Sequence, residues 1–131
     1  MLVFKAGVGI AAITMRKWTD AKAVTMCDFR EEVIKNELSN CSKNNVKGIS
    51  SFKINYDEML KSAIKYDTIL FPDLLSQGFP PLLIIDIIRK LLNVRGEVIM
   101  IIQENKESAK VFISAVDRGE FKIANYILTA G

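Results

Sequence analysis

The chain has 131 residues, half of them apolar and a quarter charged, with 18 Lys and Arg against 15 Asp and Glu. That length and balance predict a single globular domain over residues 1–131 and exclude a disordered chain. The net charge of +3 is spread along the sequence with no dense basic run, which argues against a nucleic-acid stripe.

Lys5 and Asp86 interrupt the longest apolar runs, so none reaches the ~18 residues of a membrane span. The N-terminus has no basic stretch before its first apolar run, and a signal peptide is not expected. Cys27 and Cys41 are too few for a disulfide framework, and a chain without histidine offers no ready metal site. Two reduced thiols fit a cytoplasmic chain, or a nuclear one.

The stretch from Leu2 to Ile13 reads as a short apolar strand, a glycine turn and a helix opening near Gly9. On that helix Ile10, Ile13 and Trp18 fall near helical spacing. Residues 23–27 form a second strand. A helix over 29–44 follows, with Phe29, Val33, Ile34, Leu38 and Cys41 as its apolar stripe and Asn44-Asn45 as its stop. Gly48 precedes a strand over 49–54, and 57–63 form a short helix. Residues 66–71 are a buried strand. Pro72 and the group Gly78, Phe79, Pro80 and Pro81 mark a loop, with Pro81 suited to the first turn of the next helix. That helix, 82–92, is apolar nearly all round and is expected to be buried. A strand over 97–102, a helix over 107–117 and a last strand over 121–128 complete the chain. Strands alternating with helices predict an α/β fold: a parallel sheet covered on both faces.

The first turn carries the most chemistry. Gly7 and Gly9 allow close backbone approach, a helix N-terminus offers unpaired N–H groups, and Asp28 ends the next strand 19 residues after Gly9. Together they suit a nucleoside half-site. Each also has a plainer role: the glycines make a tight turn, and Asp28 caps the helix that follows. Asp67, at the start of a buried strand, reads as a structural acid. Asp73 follows Pro72 at the sheet's edge and is the better candidate for chemistry.

Several of these residues, taken in order, resemble the class I, seven-β-strand methyltransferases, and most closely the eukaryotic protein-lysine type. The carriers are Ala6 to Ile10 at the first turn, Val24 to Asp28, Asn40, and Asn44 to Val46. Tyr66 to Leu70 with Asp73, and the pair Leu91-Leu92 before Gly96 to Ile99, continue the pattern. The resemblance implies a Rossmann-like, doubly wound sheet of order 3-2-1-4-5 with helices on both faces and a final antiparallel strand. It implies S-adenosylmethionine as cofactor and a protein substrate, with lysine as the methyl acceptor. Gly7 and Gly9 would lie against the methionine part and ribose, and Asp28 would bond the ribose hydroxyls. Asn55 and Tyr56 would stand near the adenine, and Asp73 would face the methyl group and acceptor.

The chain departs from that pattern in places. Val3 stands where an acid belongs, Lys5 replaces the first glycine, and Ser76 takes the place of an aromatic. Against the family's length the chain reads as a core shortened at both ends. Lys5 either crowds the cofactor or turns away along the surface. Two other readings stand beside an active enzyme. One is a non-catalytic remnant of the same fold; the other is a different nucleotide binder, since Gly7, Gly9 and Ala12 also match a dinucleotide fingerprint.

Overall fold

The structure, a computed structural model, describes residues 1–5, 9–103 and 106–117. Five parallel strands form one sheet in the order β3-β2-β1-β4-β5. The elements are β1 (Leu2–Phe4), α1 (Ile10–Trp18), β2 (Val24–Asp28), α2 (Glu31–Lys43), β3 (Ile49–Lys53), α3 (Tyr56–Lys61), β4 (Tyr66–Phe71), α4 (Pro81–Leu91), β5 (Leu92–Met100) and α5 (Glu107–Asp117). Parallel neighbours need crossovers, and a helix supplies each one between consecutive strands. The expected final strand over 121–128 lies outside the described residues.

β1 is three residues long and buried throughout, as the central strand of a doubly covered sheet must be. It pairs with β2 (Val3 beside Met26) and with β4 (Val3 beside Leu70). The strand order therefore reverses at β1, and the crevice beyond the carboxyl ends of β1 and β4 is the switch point.

Two apolar layers sandwich the sheet. Val3, Ala12, Val24, Met26 and Cys41 pack together under α1 and α2. Leu2, Phe4, Ile69 and Phe71 pack with Met59, Ile84, Ile88 and Phe112 of α3, α4 and α5. Strand alternation assigns the sides: in β2, Val24, Met26 and Asp28 face α1 and α2.

Three expectations about burial and bounds are corrected. Trp18 is 81% exposed and Ile10 68%. The face α1 lays on the sheet is centred on Ala12, and both large residues lie on the far side of the helix. On α2 the stripe is rotated: Leu38 is 40% exposed, whereas Glu37 is fully buried. The fifth strand begins at Leu92 rather than at residue 97, because Leu92 already pairs with Tyr66. An irregularity between Tyr66 and Thr68 absorbs the intervening residues. Gly96 sits within it, where a Cβ would meet Asn93 O at 2.9 Å and Asp67 O at 3.0 Å. Asp67 is structural, accepting from Asn93 Nδ2 at 2.9 Å.

α4 presents Ile84, Ile85, Ile87, Ile88 and Leu91 to the core, with Leu82 and Asp86 outward. Its Pro81 occupies the first turn, as expected.

Candidate active site at the carboxyl edge of the sheet

Gly9 caps α1 with φ 88°, a left-handed conformation that glycine adopts without steric cost. The turn places Gly9 against the backbone of Glu37, with the carbonyl oxygen 3.4 Å from where a Cβ would be. Gly7 lies outside the described residues.

Asp28 ends β2 and is only 1% exposed. Its Oδ1 accepts the Arg30 backbone N–H at 3.1 Å, and the Arg30 guanidinium approaches the same oxygen at 3.6 Å. The first helical residue of α2 is Glu31, so Asp28 closes the turn into that helix from three residues ahead of it. The expected cap is corrected: Arg30 is the N-cap of α2 and makes no side-chain cap bond, while Asp28 Oδ2 is buried and has no hydrogen-bond partner among the described residues. A buried carboxylate oxygen without a donor carries a desolvation cost of about 1–3 kcal/mol or more. A hydroxyl-bearing ligand would remove that cost.

Asn55 is the N-cap of α3: its Oδ1 accepts the N–H groups of Asp57 at 3.1 Å and Glu58 at 3.3 Å. Its side-chain carbonyl is thus engaged in the cap. Tyr56 opens the same helix. Asp73 lies two residues beyond β4, half-buried, with Oδ1 accepting from Ser76 N–H at 3.2 Å. That bond folds the loop back on itself just beyond the end of β4.

Lys5, at the mouth of the glycine turn, has φ 51° and donates its backbone N–H to Cys27 O at 2.7 Å. Its ammonium is held by the loop after β4: Nζ donates to Gln77 Oε1 at 2.6 Å and stands 5.3 Å from the Phe79 ring centroid. The contact carries the side chain across to the loop after β4. Phe79 packs on Phe29 at 5.8 Å, Phe29 on Phe4 at 6.2 Å, and Phe4 on Phe71 at 5.3 Å. The chain of rings joins the end of β2 to the loop after β4.

Glu37 was not among the expected site residues. It is wholly buried, and neither carboxyl oxygen has a hydrogen-bond partner among the described residues. Burial, with the charge of Asp28 nearby, pushes its carboxyl up to about 7. The signal that could have found it is its position between Ile34 and Cys41, where an acid falls on the helical repeat of an apolar stripe. Burial likewise pushes the Cys27 thiol up to about 12, so it is an inert core group rather than a nucleophile.

A cavity of about 680 Å³ lined by Met1, Met15, Thr19, Asp67 and Thr68 opens at the opposite, amino edge of the sheet. It lies away from Gly9, Asp28 and Asp73, and the chemistry of a parallel sheet belongs at the carboxyl edge.

The strand order is that of a methyltransferase-type Rossmann fold, with left-handed Gly9 and buried Asp28 at the carboxyl edge of its sheet. By its match to the family model described as lysine methyltransferase, over residues 2–119, the chain belongs to that family. No curated protein sequence matches the chain.

Solved structures share the fold. The ribosomal protein L11 methylase of Lactobacillus delbrueckii subsp. bulgaricus is similar with TM-score 0.76 and 22% identity, over 98% of this chain and 64% of that one. PKMT2 from Rickettsia typhi, in complex with AdoHcy, gives TM-score 0.65 and 17% identity, over 76% and 20%. An rRNA methylase from Streptococcus thermophilus gives 0.67 and 14%, over 91% and 69%. The chain thus spans just under two thirds of the L11 methylase and a fifth of PKMT2.

Proposed function

We propose that this chain binds S-adenosylmethionine at the carboxyl edge of β1, β2 and β4 and transfers its methyl group to a protein side chain, the lysine amine. The observation that carries the reading is the unpaired, buried Oδ2 of Asp28 beside the left-handed Gly9. It is an acceptor set for a ribose hydroxyl at the place where open α/β sheets take ligands. The cofactor supplies an activated methyl on a sulfonium. Displacement from it is governed by alignment, so the protein's work is to hold two groups in line. Asp73, held by Ser76 at the end of β4, is placed to orient the acceptor amine. Family membership supports lysine as that acceptor, and the AdoHcy bound in PKMT2 supports the cofactor.

A specific contact favours a second reading, a non-catalytic member of the fold. Lys5, Gln77, Phe79 and Phe29 link both sides of the crevice. Calorimetry with S-adenosylmethionine, its demethylated product and NAD separates these readings, and with them a dinucleotide site. Binding of the first two alone, with methyl incorporation into protein that Asp73→Asn lowers at least tenfold, supports the enzyme. Binding without incorporation moves the chain to the second reading; NAD binding alone overturns both. We place the chain in the cytoplasm or nucleus, a reading supported by its two free, buried thiols.

A further inference from the structure

Asp28 has only one oxygen left for a ligand, since Oδ1 is held by Arg30. A ribose diol presents two O–H donors. The residue that faces the same place is Glu37. Asp28 points to the α1 and α2 side of the sheet by strand alternation, and Glu37 is the buried acid of α2. Helical side chains lean toward the N-terminus of their helix, and α2 starts at the Asp28 end of β2. The Glu37 carboxyl is therefore directed toward Asp28 and the glycine turn. Its Cβ lies 3.7 Å from where a Cβ on Gly9 would be.

The titratable groups around it are Asp28 and Cys27 on β2 and Cys41 on its own helix. Arg30 pairs with Asp28, and Lys5 is turned to Gln77. Three buried carboxyl oxygens, two on Glu37 and one on Asp28, have no hydrogen-bond donor among the described residues. A structural role alone leaves them all unsatisfied, whereas the two hydroxyls of a ribose diol can partner two of them, one on each carboxyl.

We infer that Glu37 is a second carboxyl acceptor for the ribose diol of the nucleoside cofactor, acting beside Asp28. This rests on the cofactor reading above. In the free protein its carboxyl is protonated over much of the range below about 7. Accepting a hydroxyl favours the carboxylate, so binding expels a proton.

The test is titration calorimetry on the full chain and on Glu37→Gln, in two buffers of different ionisation enthalpy at pH 6.5. The ligands are S-adenosylhomocysteine and methylthioadenosine, which keeps the ribose and lacks the amino acid. The native chain should release about half a proton or more with either ligand. Glu37→Gln should release correspondingly less and bind at least about fivefold more weakly at pH 8. Equal affinity and equal release in the variant overturn the inference while leaving cofactor binding intact, and so does release confined to S-adenosylhomocysteine. If neither ligand binds the native chain, the cofactor reading fails and this falls with it. Should Glu37→Gln not fold, the native chain's release with methylthioadenosine decides the matter by itself.

Discussion

The ammonium of Lys5 reaches Gln77 Oε1 at 2.6 Å, joining the mouth of the glycine turn to the loop that carries Asp73. The two residues are 72 apart in sequence and come from either side of the switch point. The contact turns a residue that threatened to crowd the cofactor into a tie across the crevice. The same ammonium stands over Phe79, which packs on Phe29, so two contacts tie the loop after β4 to the far side of the crevice.

Substitutions of Lys5 separate the tie from the backbone. Lys5→Met keeps the left-handed φ of 51° and loses the hydrogen bond and the ring contact. It should cost about 1 kcal/mol, read in urea unfolding, since both contacts are partly solvated. Lys5→Gly loses the same contacts but also relieves a left-handed strain of about 1 kcal/mol, so its net change should be near zero. Because the Lys5 ammonium is bonded to Gln77 and makes no ion pair with Asp28 among the described residues, neither variant should alter S-adenosylmethionine affinity by more than about threefold. A large gain in Lys5→Gly would show that the tie itself keeps the crevice shut.

Asp28→Ala removes the acceptor at the end of β2. A charge-assisted hydrogen bond to a ribose hydroxyl is worth about 1.5–3 kcal/mol, so affinity for S-adenosylmethionine should fall at least about tenfold. Calorimetry measures it, with circular dichroism to check the fold. Unchanged affinity would reduce Asp28 to its bond with Arg30.

Glu37 should make stability depend on pH. Its folded carboxyl is raised from 4.5 to about 7, first by burial and then by Asp28. Protons are thus bound more tightly in the folded chain, and the contribution is fully present below 4.5 and lost as pH rises through about 7. The melting temperature should fall between pH 5.5 and 8 in the native chain and change less in Glu37→Gln. Glu37→Leu, which removes the orphaned acceptors, should gain about 1–3 kcal/mol at pH 8. A native profile as flat as that of Glu37→Gln would place this carboxyl in water.

Two glycines should respond differently to alanine. Gly9→Ala meets only ordinary contacts with Glu37, so its cost is the left-handed backbone, about 1–2 kcal/mol. At Gly96 a Cβ would stand 2.7 Å from Leu92 Cδ1 and within 3.0 Å of two backbone oxygens. Gly96→Ala should therefore cost more than Gly9→Ala in urea unfolding, because backbone of β4 and β5 must shift. The reverse order would mean that the bulge yields easily.

Local chemistry determined much of this protein. The strand over 66–71 and the helix over 107–117 stand as expected, because alternation and helical spacing act within a few residues. The order 3-2-1-4-5 followed from the alternation of elements together with the resemblance. Gly9 and Asp28 were legible as well, since a left-handed turn and an acid at a strand end are local features.

Tertiary structure decided the rest. Periodicity on α2 selected Leu38 and passed over Glu37, for a helix's rotation is set by what it packs against, here Gly9 and β2. Spacing made Trp18 an apolar-face residue, but the close seat of Ala12 on the sheet put it outside. The direction of Lys5 was open in the sequence because Gln77 and Phe79, which settle it, reach the glycine turn only when β4 pairs with β1. A side chain's partners are fixed by strand pairing across long sequence separations, and no local pattern encodes them.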